Sequence, residues 1–209
     1  MDFTLQTPVP PVNMLSGHVS ESEMTFTVHC HDDYFRNVTA SDSVGKPLFR
    51  VEGAKFGTSW SWRRRVWESS SDRHLFDFRH NSFDIKNGWV VESPDSRKLC
   101  SLVHKSQVTR HHSCINATVC TEAGEQVLVA MRHKDHEALV TTITVGDTTI
   151  ATIHKINDIS SIKYNPAIGL AKRSESERVW EVRVASGVDL SFIMALALCR
   201  VEMGHVWKQ

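Results

Sequence analysis

The residues best equipped for chemistry in this chain are basic. Arg63-Arg64-Arg65 lies between Trp62 and Trp67, and the stretch from Arg97 to His112 carries Arg97, Lys98, Lys105 and Arg110 with no acidic residue. Cationic groups beside an indole suit an anionic lipid headgroup, each Lys or Arg near such a membrane contributing about 1 kcal/mol. Arg63, Arg65, Lys98 and Lys105 are therefore the candidate lipid- or anion-binding residues. The competing account is a solvated strand face whose charges discourage edge pairing.

Twelve histidines raise the question of a metal. His29 and His31 share a strand face, His111-His112 adjoins Cys114, and His133 and His136 flank a turn. Zinc needs three or four convergent N or S ligands, and none of these spacings supplies them locally. No metal or other cofactor is expected. The G-x-S-x-G, P-loop, G-x-G-x-x-G and H-E-x-x-H motifs are absent from the sequence, so catalysis is not expected and an enzyme with an unrecognised site is the minor alternative.

These side chains have to be positioned by a chain of 209 residues, with 24 Lys+Arg against 24 Asp+Glu. That balance gives no reason to expect a nucleic-acid partner. The five cysteines, Cys30, Cys100, Cys114, Cys120 and Cys199, are odd in number and widely spaced. They read as reduced thiols in a cytoplasmic protein, peripheral to a membrane or nuclear in variants of that reading. Met1 to Gly17 lacks a basic start and a sustained apolar run. Residues 1–22 read as a flexible Pro/Ser-rich leader, and 23–209 as a single domain.

Within that domain short alternating segments follow one another: Met24 to Cys30, Arg36 to Ala40, Pro47 to Glu52, Trp60 to Trp67, His74 to Arg79 and Lys86 to Glu92. Lys98 to Lys105, Ser113 to Cys120, Gln126 to Arg132, Ala138 to Val145, Thr148 to Ile156 and Val179 to Val184 complete the series, with a long loop at 157–177. About twelve strands and no βαβ alternation imply a mainly β fold, a barrel or sandwich. Trp60 and Trp62 read as core, with Arg64 intruding on their face.

The last apolar run, Val188 to Val201, is different. At about 100° per residue, Leu190, Phe192, Ile193, Met194, Leu196 and Leu198 point all round the axis, so this helix has to be enclosed on every side. About 14 residues is too short for the ~20 that span a bilayer. A barrel of about twelve strands is too wide to fill with its own side chains, and the helix has the character to fill it. A lipocalin-like carrier would need that space open. Ser186-Gly187-Val188-Asp189 offers a start signal and Gly204 a stop.

Three stretches carry a family resemblance. Val38 to Gly53 is similar to a D-x-x-G-x-x-x-F-x-V-x-G opening, Trp180 to Val184 closes a series of strand pairs, and Gly187-Val188-Asp189 leads into the hydrophobic run ending at Leu198. Over roughly residues 24–203 the chain resembles the tubby C-terminal-like superfamily and, within it, the LURP-one-related group. The resemblance implies an antiparallel barrel of about twelve strands around a hydrophobic C-terminal central helix. Its wider relatives include tubby proteins, which bind phosphoinositides, and phospholipid scramblases, which act at membranes. The implied function is a non-enzymatic signalling barrel that binds phosphoinositide or another anionic lipid. The alternative is a protein-interaction scaffold with no lipid ligand.

Overall fold

The computed structural model describes residues 3–32, 35–54, 62–81, 88–105, 114–133, 139–156 and 178–206. Its strands are β1 (Met24–Cys30), β2 (Asn37–Asp42), β3 (Pro47–Gly53), β4 (Arg64–Glu68), β5 (Arg73–His80) and β6 (Gly88–Glu92). They continue with β7 (Lys98–Lys105), β8 (Cys114–Cys120), β9 (Gln126–His133), β10 (Val140–Val145), β11 (Thr148–Ile156) and β12 (Arg178–Val184), followed by α1 (Leu190–Val206). Each strand pairs antiparallel with its neighbours in sequence, and β12 returns to β1, closing a twelve-stranded barrel. Among the described strands, closure leaves no edge open to another chain.

Alternation decides which side chains enter the lumen. Phe26 and Val28 of β1, Phe76 and Phe78 of β5, Leu102 of β7, Ile115 of β8, Ile143 of β10 and Val182 of β12 are all buried. Extra residues at Leu48 in β3, Leu75 in β5, Leu99 in β7 and Ile150 in β11 locally shift the register, and bulges of this kind bend strands. The turn between β2 and β3 shows why Asp and Gly stand where they do. Asp42 Oδ1 accepts from the amides of Val44 and Lys46 at 3.0 and 2.8 Å, and Gly45 has a φ of 84° that side chains disfavour.

α1 fills the lumen. Phe192, Ile193, Met194, Leu196 and Leu198 are buried among the strands, while Leu190 is partly buried against the same core. Gly204 does not stop the helix, which runs on to Val206. The local preference lost at a helical glycine, about 1 kcal/mol, is smaller than what burial of Val201 and Met203 in the preceding turn contributes.

Asp189 starts the helix. Its Oδ1 accepts from Ser191 N and Oγ at 2.7 and 2.6 Å and from Phe192 N at 3.3 Å. Its Oδ2 accepts from the amides of Met14 and Leu15 at 2.7 and 2.6 Å. The segment before β1 is thus part of the barrel's lower end. Val12 and Met14 are buried, Val12 bridges Val188, and Val19 bridges Asp189. A sequence rich in Pro and Ser shows no periodicity from which that burial could be read. Gly187 belongs to the same junction: its φ is 78°, and a Cβ there would lie 2.7 Å from Thr7 Cγ2.

Candidate functional site

The sequence-predicted basic residues lie on or beside the outer wall of β3 to β7. Register places Glu52, Arg65, Asp77, Glu92 and Lys98 side by side across these five strands. Arg63, just before β4, donates from Nη1 to Asp77 Oδ2 at 2.6 Å and lies 3.8 Å from Glu92 Oε2. Arg79 grips Glu92 with two donors, Nε at 2.9 Å and Nη2 at 2.5 Å. His74 Nε2 lies 3.0 Å from Asp77 Oδ1. The hydrogen bond from Arg79 is the main reason the Glu92 carboxyl is held below its ordinary range, and the same bond raises Arg79.

The four candidates do not form one pocket. Arg63 is committed to Asp77. Arg65 and Lys98 are exposed, but three strand spacings separate them, roughly 14 Å. Lys105 is at the far end of β7 from Lys98, seven residues or roughly 23 Å away. Arg110 falls outside the described residues. Because Glu52, Asp77 and Glu92 interleave with Arg63, Arg65, Arg79 and Lys98, the wall's net pull on an anionic surface is about that of one residue, ~1 kcal/mol.

Trp62 corrects a second expectation. It is not core: it is 47% exposed, with a φ of 50° immediately before β4 begins. Trp60 falls outside the described residues. β4 presents Arg64 and Val66 to the lumen and Arg65 to solvent. The strand alternation that places Arg64 inside therefore does not extend back to Trp62.

Arg64 belongs to a charged cluster that sequence reasoning missed. At the upper rim, where α1 ends, Arg64 Nη1 donates to Glu202 Oε2 at 2.9 Å and Arg64 Nε donates to the Phe35 carbonyl at 2.9 Å. Trp89 Nε1 donates to the same Glu202 oxygen at 3.2 Å, and His80 Nε2 lies 3.2 Å from Glu202 Oε1. Burial pushes the Glu202 carboxyl up; the hydrogen bond to His80 and the charge of Arg64 outweigh it and hold the carboxyl below its ordinary value. The available signal was a lone cation at a lumen position and a lone carboxylate in an apolar helix, because a buried charge needs a partner. Their separation of 138 residues hid the pairing.

Histidine supplies no metal centre among the described residues, where no three His, Cys, Asp or Glu side chains converge. His111, His112 and His136 fall outside them. None of the five cysteines, all described, is in a disulfide, and Cys100 and Cys199 are pushed well up by burial. No described helix is long and apolar enough to cross a membrane.

Comparison with known proteins places this geometry. A protein from Arabidopsis thaliana, solved by X-ray crystallography, matches with a TM-score of 0.57 at 14% identity, over 92% of this chain and 98% of that one. That likeness is one of fold. Among curated proteins no relative matches the chain. The family model described as LURP-one-related matches residues 24–201, from the first residue of β1 to the buried turns of α1. The chain belongs to the LURP-one-related family.

Proposed function

We propose that this barrel is a non-enzymatic protein-interaction module that docks a polar protein surface on the outer wall beside Trp62. The carrying observation is Trp62 itself, 47% exposed at a φ of 50° beside an arginine fixed by Asp77. A bulky residue in the left-handed region is strained, and strain of this kind concentrates at binding sites. Trp and Arg are the residue types that dominate protein–protein binding energy. Interleaved carboxylates also favour a partner with a matching charge pattern over a uniformly anionic bilayer. α1 occupies the lumen, so the wall and the rim are where a partner has access.

The test uses a photo-crosslinking amino acid in place of Arg65 in the full chain, in cells. A discrete protein adduct should form. Trp62→Ala should weaken it roughly 30-fold, the effect of losing an anchor worth about 2 kcal/mol. The same crosslinker in place of Leu128, exposed on β9, should not form that adduct. In parallel, wild type should not sediment with vesicles containing phosphatidylserine and phosphoinositide at ~0.1 M salt. Sedimentation that Arg65→Glu abolishes would instead establish the lipid reading, and identical adducts from both positions would remove the docking wall.

A further inference from the structure

At the lower mouth the short stretch from Gly187 to Leu190 is paired on both sides by the leader. On one side Asp189 N donates to the Val12 carbonyl at 3.2 Å, and Val12 bridges Val188 in parallel. On the other, Ser20 N donates to the Val188 carbonyl at 3.0 Å, Gly187 N to the Ser20 carbonyl at 2.8 Å and Leu190 N to the His18 carbonyl at 2.9 Å. The Asp189 carboxylate accepts from the Met14 and Leu15 amides, and Glu122, in the turn between β8 and β9, accepts from the Ser16 amide at 2.6 Å. In every one of these bonds the leader contributes its main chain. Its side chains anchor it at Val12 and Met14, both buried, and Gly17, at a φ of 81°, turns it back toward Leu190.

Extended peptides are held in this way by strand addition, where main-chain bonds give affinity and pockets for alternate side chains give selectivity. Two observations set the leader apart from the barrel it covers. The twelve strands close into a ring without it. Glu21, Ser22 and Glu23, which join it to β1, are exposed. Its charge also fits the mouth. Two carboxylates, Asp189 and Glu122, face it, and an acidic occupant would be repelled; Phe3 to Ser20 holds no Asp, Glu, Lys or Arg. We propose that the lower mouth is a docking groove for an extended, uncharged segment of apolar-x-apolar-x-x-Gly pattern. The leader's Val12, Met14 and Gly17 occupy it in the resting chain, and a segment of the same pattern from another protein takes their place when the leader lifts. The groove is separate from the Trp62 wall and does not depend on it.

The experiment places a site for a sequence-specific protease between Glu21 and Ser22 of the full chain. Cleavage turns the tethered leader into an exchangeable ligand. A fluorescent peptide of residues 3–21 should then bind the cut chain saturably by anisotropy, while the β circular dichroism stays native. The uncut chain should bind it roughly 100-fold more weakly, because its own leader competes at high effective concentration. Val12→Ala in the peptide should weaken binding roughly tenfold, the loss expected for part of a buried anchor. N-methylation of the Leu15 amide removes a donor to Asp189 and keeps every side chain, and it should also weaken binding roughly tenfold. A peptide that keeps only Val12, Met14 and Gly17 in an alanine–threonine sequence should still bind. Trp62→Ala in the barrel should change none of these affinities, which separates the groove from the wall. A cut chain that unfolds as the leader leaves, or that never exchanges it, overturns the proposal, since the leader is then an inseparable part of the fold. So does binding that neither Val12→Ala nor N-methylation weakens, or a pattern-only peptide that fails to bind.

Discussion

The two ends of α1 solve the same problem by different means. At the lower end a buried carboxylate, Asp189, is satisfied by main-chain amides of Met14, Leu15, Ser191 and Phe192 together with the Ser191 hydroxyl. At the upper end a buried carboxylate, Glu202, is satisfied by the side chains of Arg64, Trp89 and His80. Main-chain amides are present whatever the residue, so the lower end constrains the path of the leader more than its composition. The upper end constrains identity on three strands at once. Substitutions should therefore be tolerated at Met14 or Leu15 as long as the path holds, and hardly at all at Arg64.

Removing both ends together gives the largest effect. Truncation after Gly187 deletes Asp189, Glu202 and every lumen-filling side chain of α1, and should give insoluble or molten protein. A soluble truncated protein with native-like β circular dichroism would refute the central-helix architecture. Breaking the upper end alone comes next. Arg64→Met leaves Glu202 buried without its cation and should cost about 3–5 kcal/mol in urea unfolding. Adding Glu202→Met should recover much of that loss, because replacing a buried pair with apolar groups is often near neutral. Strictly additive losses would mean that the two residues are not coupled. The lower end should break more gently. Asp189→Asn keeps a capping oxygen but turns a donor toward the leader amides, costing about 1–3 kcal/mol. Amide exchange should speed up at Met14 and Leu15 and stay unchanged in β4 to β6; uniform acceleration would show that the leader is not held locally.

The same contrast explains what could be read from sequence. The helix start at the lower end was legible because its signals are local, with Ser186, Gly187 and Asp189 within four residues, whereas the leader amides of Met14 and Leu15 that Asp189 also holds lie about 175 residues away and were not. Strands β1, β7 and β11 carry the boundaries their alternation and flanking turns indicate. The upper end was not legible, because Arg64 and Glu202 meet only once the barrel closes, and because packing carries α1 past Gly204. The wall failed in a similar way. Arg63, Arg65 and Lys98 were visible as a basic run and a neighbour, whereas Asp77 and Glu92, which neutralise them, come from the next two strands. Trp62 looked like core because alternation was extended past the start of β4.

Acid offers the finest test of the upper end. Glu202 titrates below its ordinary value of 4.5 because the His80 hydrogen bond and Arg64 outweigh its burial. A carboxyl lowered in the folded state binds protons more weakly there than in the unfolded chain. Its contribution to stability is complete above the unfolded value and is lost as pH falls through the folded one. Glu92, lowered by Arg79, behaves in the same sense on the wall. Glu202→Gln and Glu92→Gln should therefore each flatten the fall of stability below about pH 4.5. Only the first should also speed amide exchange in Val201 to Met203, since Glu202, unlike Glu92, lies on α1 and is bonded to β4, β5 and β6. Equal exchange in both variants would show that the rim cluster does not hold the helix end.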